Sequence, residues 1–503
     1  MLRAISLILG LIFLGASALA AKLPAAGRNT PQQSWRLIGL VSAAGLLLSY
    51  LVVVAIRSLW AGMLAELAIA LCFVVVLAVR YRREGAFSLR LGSSESLVFI
   101  LVLGLLGAGT LLEPIADWDA RSIWFFHAKM IYFAGGLVKG GGWTAPSCAF
   151  SHTDYPNLVP AVAAQTASLA GFWNEQLPKC ALLLLLVPPL AVTVSYCRTG
   201  LATTALLLIV WAKLAPFLTN GYMDAPLALY GLFAVLLVGS WLVTGSKLDL
   251  AIAVLFVGVA LGLKNEGSLL AVVLLVCVTP AATAARRRGR QLLPADRFEA
   301  ISLGGIILFA IVSGGSWLIL RKAWGLQDDL NLGTSSLPFV VMRLTDPGAL
   351  ELIVQSTLVA NGLLYAVLIG VCATGLSYVF RTERLVEPIF CMIAASVYLA
   401  GIELVYLASP QDNRWHLATS ADRTTLLPIL LFLAPAILLL RDERRWLIAS
   451  ARLGPLRRKY GPVATAGVAG IELAEAAQSR SNGVGGSRVP IFPHKKLTRD
   501  NPE

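Results

Sequence analysis

The sequence predicts an all-α polytopic membrane protein of about twelve or thirteen transmembrane helices, with an interfacial helix in one large outer loop. Three observations carry that expectation. Of the 503 residues, 57% are hydrophobic and 14% are charged, and the mean hydropathy is +0.76, which lies outside the range of an ordinary soluble globular chain. Apolar runs long enough to cross a hydrocarbon core of about 30 Å as helices recur from near the N-terminus to about residue 440. Basic residues gather in the short loops between alternate runs and in the C-terminal tail, as membrane topology demands.

The runs fall at 4–21, 36–56, 59–80, 95–113, 179–196, 200–218, 224–243, 248–263, 267–283, 300–320, 353–377, 387–407 and 425–440. The first has a short basic start and an Ala18-Leu19-Ala20 ending, so it resembles a secretory signal peptide or is retained as a helix. Three regions follow: N-terminal helices over 1–94, a core over 95–440 with a long loop at 114–178, and a basic tail over 441–503 that loses its apolar runs and reads as disordered. The net charge of +13 is explained by topology and does not call for nucleic acid. Seven scattered cysteines (Cys72, Cys148, Cys180, Cys197, Cys277, Cys372 and Cys391) form neither a disulfide framework nor a metal-binding spacing.

Orientation follows from Lys and Arg. If the segment ending at Glu113 leaves the cytoplasm, then Arg80, Arg82, Arg83 and Arg90, Arg286 to Arg288 with Arg290, Arg381 with Arg384, and the tail from Arg441 all stay inside. The opposite orientation strands every one of these clusters outside. The chosen one puts 114–178, 219–223, 264–266, 321–352 and 408–424 on the outer face, and these stretches hold the unusual residues.

The outer loop begins Glu113-Pro114-Ile115-Ala116-Asp117-Trp118-Asp119 and continues into Ile123, Phe126, Met130 and Phe133 at helical spacing, which suggests an amphipathic helix at the bilayer surface. A carboxylate at that depth can take a proton from an acceptor hydroxyl. Asp119 is the first candidate and Asp117 the second, although Asp117 could instead cap the helix. His152 and Asp154 stand together later in the loop and could orient an acceptor, cap the helix near Pro156 or bind a divalent metal; one His and one Asp do not declare a metal site. Asp224 sits at the mouth of a membrane helix, where it either caps that helix or, emerging on the same side as Asp119, serves the site. Lys264 and Glu266 share a hairpin too short to stand far out in water, so the two either pair with each other or Lys264 meets a phosphate. In the last outer loop, Arg414, His416 and Arg423 precede the final helix, and the planar fork of Arg423 matches phosphate oxygens.

Taken in order, Trp118-Asp119-Ala120 with Ile123-Trp124 and Ala128-Lys129, His152-x-Asp154-Tyr155-Pro156, Gly221-Tyr222-x-Asp224-x-Pro226, Lys264-Asn265-Glu266-Gly267 and Trp415-His416-Leu417 with Ser420-x-Asp422-Arg423 resemble bacterial membrane glycosyltransferases of the C superfamily, the group related to protein mannosyltransferases and aminoarabinose transferases. The resemblance spans roughly 95–440. It implies a multi-pass enzyme of the bacterial inner membrane that faces the periplasm or exterior. Such an enzyme moves a sugar, with inversion, from a polyprenyl-phosphate donor to a glycan, lipid or protein acceptor. By the resemblance, Asp119 or Asp117 is the essential acid of the first large loop. Arg423, Arg414, Lys129 and Lys264 would serve the donor phosphate, and His152, Asp154, Asp224, Glu266 and His416 the acceptor or the support of the site. It fixes no cofactor, and a divalent metal is compatible. The sequence departs from the simplest pattern because three or four apolar segments, not one, precede the catalytic loop.

Two other functions share this composition. A secondary transporter would place polar residues and broken helices at the bilayer midplane, and Gly314-Gly315 and Pro188-Pro189 are candidate breaks. A lipid-linked glycan polymerase or ligase would share the carrier chemistry and most of the architecture.

Overall fold

A computed structural model describes residues 30–56, 58–68, 91–197, 200–326, 336–380 and 385–441. Every regular element among them is helical. In a bilayer core no water satisfies exposed peptide groups, so spanning segments must close their hydrogen bonds internally, as helices do. Among the described residues, nine helices are long and apolar enough to cross a membrane, or ten if the bent pair Pro347–Val359 and Leu363–Val379 is one span. The protein is an all-helical, multi-pass membrane protein.

The elements, in order, are α1 (Pro31–Ile56), α2 (Leu59–Ala68), α3 (Ser93–Leu112), α4 (Phe125–Phe133), α5 (Leu158–Ser168), α6 (Cys180–Cys197), α7 (Leu201–Thr219), α8 (Asp224–Thr244), α9 (Lys247–Leu263), α10 (Glu266–Arg287), α11 (Arg297–Gly314), α12 (Ser316–Trp324), α13 (Leu337–Leu344), α14 (Pro347–Val354), α15 (Leu363–Phe380), α16 (Val386–Ala408), α17 (Asn413–Thr424) and α18 (Leu426–Arg441).

The expected runs reappear with edges moved by a few residues. The run at 4–21 lies outside the described residues, as do the second half of 59–80 and the tail beyond 441. The run at 248–263 forms α9, whose 17 residues cover roughly 25 Å and return the chain from the end of α8 to the start of α10. One run expected to be a single helix is interrupted, while the 300–320 run remains one membrane-length span over Glu299–Trp324, with Gly315 alone between α11 and α12. The 353–377 run bends by 61° between the two halves of its pair, beside Gly362 in the left-handed region at φ +73°. Pro188 and Pro189, in contrast, sit inside an uninterrupted α6.

The core is built around α8, of which 94% of the membrane-length window is buried. Its neighbours are α9, α18, α16 and α10, and it carries no charge after Asp224. Glycines let the backbones approach. A Cβ on Gly231 would meet Leu427 Cδ1 at 2.6 Å, and one on Gly314 would meet the Gly258 carbonyl oxygen at 2.0 Å, so α9 and α11 cross with no room for a methyl group. The N-terminal α1 packs along α6 and α9, so it shares one core with the 95–440 region.

Two ends of this bundle hold buried charge. At one end, Arg36 Nη1 lies 2.5 Å from Asp249 Oδ1, which the Ser240 hydroxyl supports through Oδ2, and Arg441 Nη2 lies 2.7 Å from Glu387 Oε2. The other end is formed by the turns after α3, α7, α9 and α16 and carries the candidate site. There Arg343, 5% exposed, donates to the carbonyls of Tyr406, Leu407, Ser409 and Gln411 and so completes the C-terminus of α16.

Replacing Gly314 with Ala is expected to lower stability by about 1–3 kcal/mol through overpacking against Gly258. Gly304→Ala on the same helix, where a Cβ meets nothing within 4 Å, is the matched control and leaves the thermal unfolding midpoint in detergent unchanged or slightly raised.

Candidate functional site

The site starts from how the long loop is fixed where α3 ends. Lys179, 2% exposed, donates to the carbonyls of Leu111 and Glu113 at 3.2 and 2.7 Å, capping α3 and setting the direction in which the loop leaves. The Asp117 carbonyl then accepts from the Arg121 amide, and a π-helical turn over Ala120–Trp124 follows, with Ala120, Ile123 and Trp124 buried. The turn leads into α4, which packs against α5 and buries Phe125, His127, Ala128 and Ile131, while Phe133 is exposed.

Asp119 immediately precedes this π-helical turn. Opposite lies the turn between α7 and α8. Gly221 has φ +91°, and a Cβ there would be 2.8 Å from the Ala120 methyl, so glycine is required both for the backbone angle and for the close approach. The approach brings Tyr222 beside Asp119. Two residues later Asp224 opens α8; Met223 is its cap residue and makes no side-chain capping bond, so the Asp224 carboxylate is free to turn inward.

The carboxylate finds two cations. Lys264 Nζ is 2.7 Å from Asp224 Oδ1 and 2.9 Å from Glu266 Oε1, and Arg423 Nη1 is 3.7 Å from Asp224 Oδ2 and 2.5 Å from Asp119 Oδ2. The result is one alternating chain, Asp119, Arg423, Asp224, Lys264, Glu266, that links four segments distant in sequence. Lys264 is held by a hairpin in which Gly267 N donates to the Lys264 carbonyl, and a Cβ on Gly267 would be 2.0 Å from the Ala260 oxygen. Arg423 stacks over the Tyr222 ring at 4.5 Å and donates from Nη2 to the Thr419 carbonyl, so its guanidinium is fixed on three sides.

Electrostatics follow from these distances. Burial alone would lower the pKa of Lys264, but the carboxylates of Asp224 and Glu266 outweigh it and hold the ammonium well above the usual lysine range. Burial and then the neighbouring Asp119 carboxylate raise the Tyr222 phenol.

A second layer adjoins the chain. Asn265 donates to Asp154 Oδ2 at 2.9 Å, Arg321 Nη1 lies 3.7 Å from the same oxygen, and the Trp317 indole donates to the Asp154 carbonyl. Asp154 is fully buried and thereby ties the 152–157 loop to the hairpin of Lys264. His152 adopts φ 52° and sets its ring 5.3 Å from that of Tyr155. His416 lies edge-on to Tyr406 at 4.9 Å, and the Tyr406 hydroxyl bonds Ser420 and Thr424 on the same face of α17.

Of the expected site residues, the structure joins Asp119, Asp224, Lys264, Glu266 and Arg423 directly and Asp154 through Asn265. Asp117 is half-buried near Tyr222, where its charge adds to that of Asp119. Two residues expected at the donor phosphate lie elsewhere. Lys129 pairs with Glu175 at 3.0 Å and covers the Trp173 ring. Arg414 is exposed and lies nine residues, or about two and a half turns, before Arg423, so the two project from opposite faces of α17.

A cleft beside the chain is lined by Asp224, Leu227, Glu266, Tyr398, Arg423, Thr424 and Leu427. Sequence reasoning missed Tyr398, one of two tyrosines with Tyr406 in the apolar run 387–407, and undervalued Tyr222 and Asn265, which flank the residues it chose. It also passed over His127, which is fully buried against Trp143 with Nε2 3.3 Å from the Ser151 hydroxyl; burial pushes its pKa down to about 3. Among the described residues, no group of three or more His, Cys, Asp or Glu side chains is placed to hold a metal. No protein-family model, curated protein or solved structure matches the chain.

Lys264→Met leaves the buried Asp224 carboxylate facing the half-buried one of Glu266 and should cost about 3–5 kcal/mol of stability, part of which Asp224→Asn restores in the same background; unfolding in detergent of the single and double variants reads both effects. His127 gives a pH signature. Its folded pKa of about 3 lies below the ordinary 6.5, so as pH falls the unfolded chain takes up the proton first, and stability drains away between about 6.5 and about 3. In His127→Phe that part of the acid loss should vanish from the unfolding midpoints.

Proposed function

We propose that the chain is a membrane glycosyltransferase that moves a sugar from a polyprenyl-phosphate donor to an envelope acceptor, with Asp119 as general base and Arg423 as the cation for the leaving phosphate. The observation that carries this reading is the contact between Asp119 and Arg423 at 2.5 Å, 304 residues apart, with Arg423 also lining a small cleft among the apolar helices. A base and a phosphate-matching fork side by side at a membrane end are what transfer from a lipid-borne donor requires. The ordered motifs that resemble the C superfamily supply four of the segments meeting there.

In this mechanism the Asp119 carboxylate takes the proton of the acceptor hydroxyl, and the oxygen attacks the anomeric carbon on the face opposite the phosphate. The bond from that carbon to the phosphate oxygen breaks, configuration inverts, and polyprenyl phosphate leaves with its charge balanced by Arg423. Lys264, enclosed between Asp224 and Glu266, holds those carboxylates. The site faces the periplasm or exterior of a bacterial inner membrane in the orientation that keeps the basic loop clusters inside. A secondary transporter is the alternative, favoured by the 61° bend between Pro347–Val359 and Leu363–Val379.

Purified protein in lipid, supplied with a panel of polyprenyl-phosphate sugars and acceptors, should release polyprenyl phosphate. Asp119→Asn should reduce that release by about 10²–10⁴-fold with the unfolding midpoint retained. Release unaffected by Asp119→Asn would remove the assigned base, and solute uptake by proteoliposomes without bond cleavage would establish the transporter.

A further inference from the structure

The N-terminal hairpin holds an acid that no cation meets. Glu66 lies on α2, within the apolar run 59–80. The Leu59 amide donates to the Gly135 carbonyl of the long loop, and Glu66 follows seven residues later, about 10 Å along the helix axis. α2 packs back along α1. A Cβ on Gly62 would meet Val52 Cγ1 at 3.1 Å, and one turn further on Glu66 meets the Ser49 hydroxyl. There α5 closes the group: Gln165, 6% exposed, donates from Nε2 to Glu66 Oε1 at 2.6 Å, and Ser49 donates to Gln165 Oε1.

Among the described residues, no Lys, Arg or His lies against Glu66. α5 carries no titratable side chain. α1 carries two: Arg36 is paired with Asp249 about 20 Å along the helix from Ser49, and the buried phenol of Tyr50 lies beside Ser316 and Asn157. A carboxylate in an apolar setting without a cation is costly, and such a group neutralises instead.

Counting donors leads to the same state. An ionised Glu66 offers two acceptors and Gln165 a third, while Gln165 N–H and Ser49 O–H supply only two donors. The un-ionised acid closes a ring: Glu66 O–H donates to the Ser49 oxygen, Ser49 O–H to the Gln165 carbonyl, and Gln165 N–H to the Glu66 carbonyl, one donor for each acceptor. A hard metal cation takes about six or more oxygens, and this group offers fewer while turning an N–H toward the carboxyl. A proton also needs no cavity.

We propose that Glu66, Gln165 and Ser49 form a proton-binding site, in which Glu66 is held as the un-ionised acid at neutral pH and its proton locks α5 to the α1–α2 hairpin. The site stands whichever reaction the Asp119 and Arg423 end performs.

The test is infrared spectroscopy on full-length protein in nanodiscs. The difference between the parent and Glu66→Gln at pH 7 should contain an un-ionised carboxyl stretch, and in Ser49→Ala, which removes the group receiving the acid proton, that band should move. Raising the pH should abolish the band, with about a tenfold loss per pH unit beyond its midpoint. Ionisation at high pH removes the third donor, so the parent's thermal unfolding midpoint should fall relative to that of Glu66→Gln, whose amide supplies an N–H at every pH. The proton site is overturned if no un-ionised band is present at pH 7, or if sodium chloride in place of choline chloride abolishes it, which would make the group a sodium site. The lock is overturned if the two midpoints stay parallel across the pH range or if Glu66→Gln unfolds well below the parent at pH 7.

Discussion

The end of the bundle that bears the site depends on an alternation of charge that no single element can supply. Arg423 stands between Asp119 and Asp224, and Lys264 between Asp224 and Glu266. Removing these groups from water is costly, and Coulomb attraction at low dielectric offsets the loss only when each charge has its partner in place. The long loop, the start of α8, the hairpin before α10 and the end of α17 are therefore held to one geometry. A site assembled from four separate turns would otherwise splay, since lipid offers helices little hydrophobic incentive to associate.

Other buried charges in the same chain do different work, and comparison with them defines what is special about the site. Lys179 and Arg343 are as buried as Lys264, yet both spend their donors on backbone carbonyls at helix ends. Arg36 with Asp249 and Arg441 with Glu387 are paired across the opposite end of the bundle. What separates Arg423, Asp224 and Glu266 from these is that they face a cleft. Charge at membrane depth identifies a constraint; only the space beside it makes a site.

Much of this was readable from sequence, for definite reasons. Hydropathy marks a membrane helix because each apolar run must cover a fixed thickness, so the runs that fall on the described residues reappear with small shifts. Asp119, Asp224, Lys264, Glu266 and Arg423 were found because ionisable residues are rare beside apolar runs. Lys129 and Arg414 met the same criterion and lie elsewhere. Position in a loop does not tell which face of a helix a side chain takes, and Glu175, the partner of Lys129, becomes its neighbour only through the fold. Tyr398 was invisible because one hydroxyl hardly changes the hydropathy of an apolar run. The bend beside Gly362 was equally hidden from length and composition, since glycine is common in unbroken membrane helices too.

The π-helical turn at Ala120–Trp124 carries its own lesson about insertion and deletion. Such a turn accommodates one residue more than an α-helix of the same length, and losing that residue would let the segment relax into regular geometry. The helix would survive, while everything before it would swing by about 100° around the axis. Asp119 would then leave the guanidinium it now meets. A single-codon deletion in this stretch would thus read as conservative in any helix forecast, and yet uncouple the long loop from the rest of the membrane bundle.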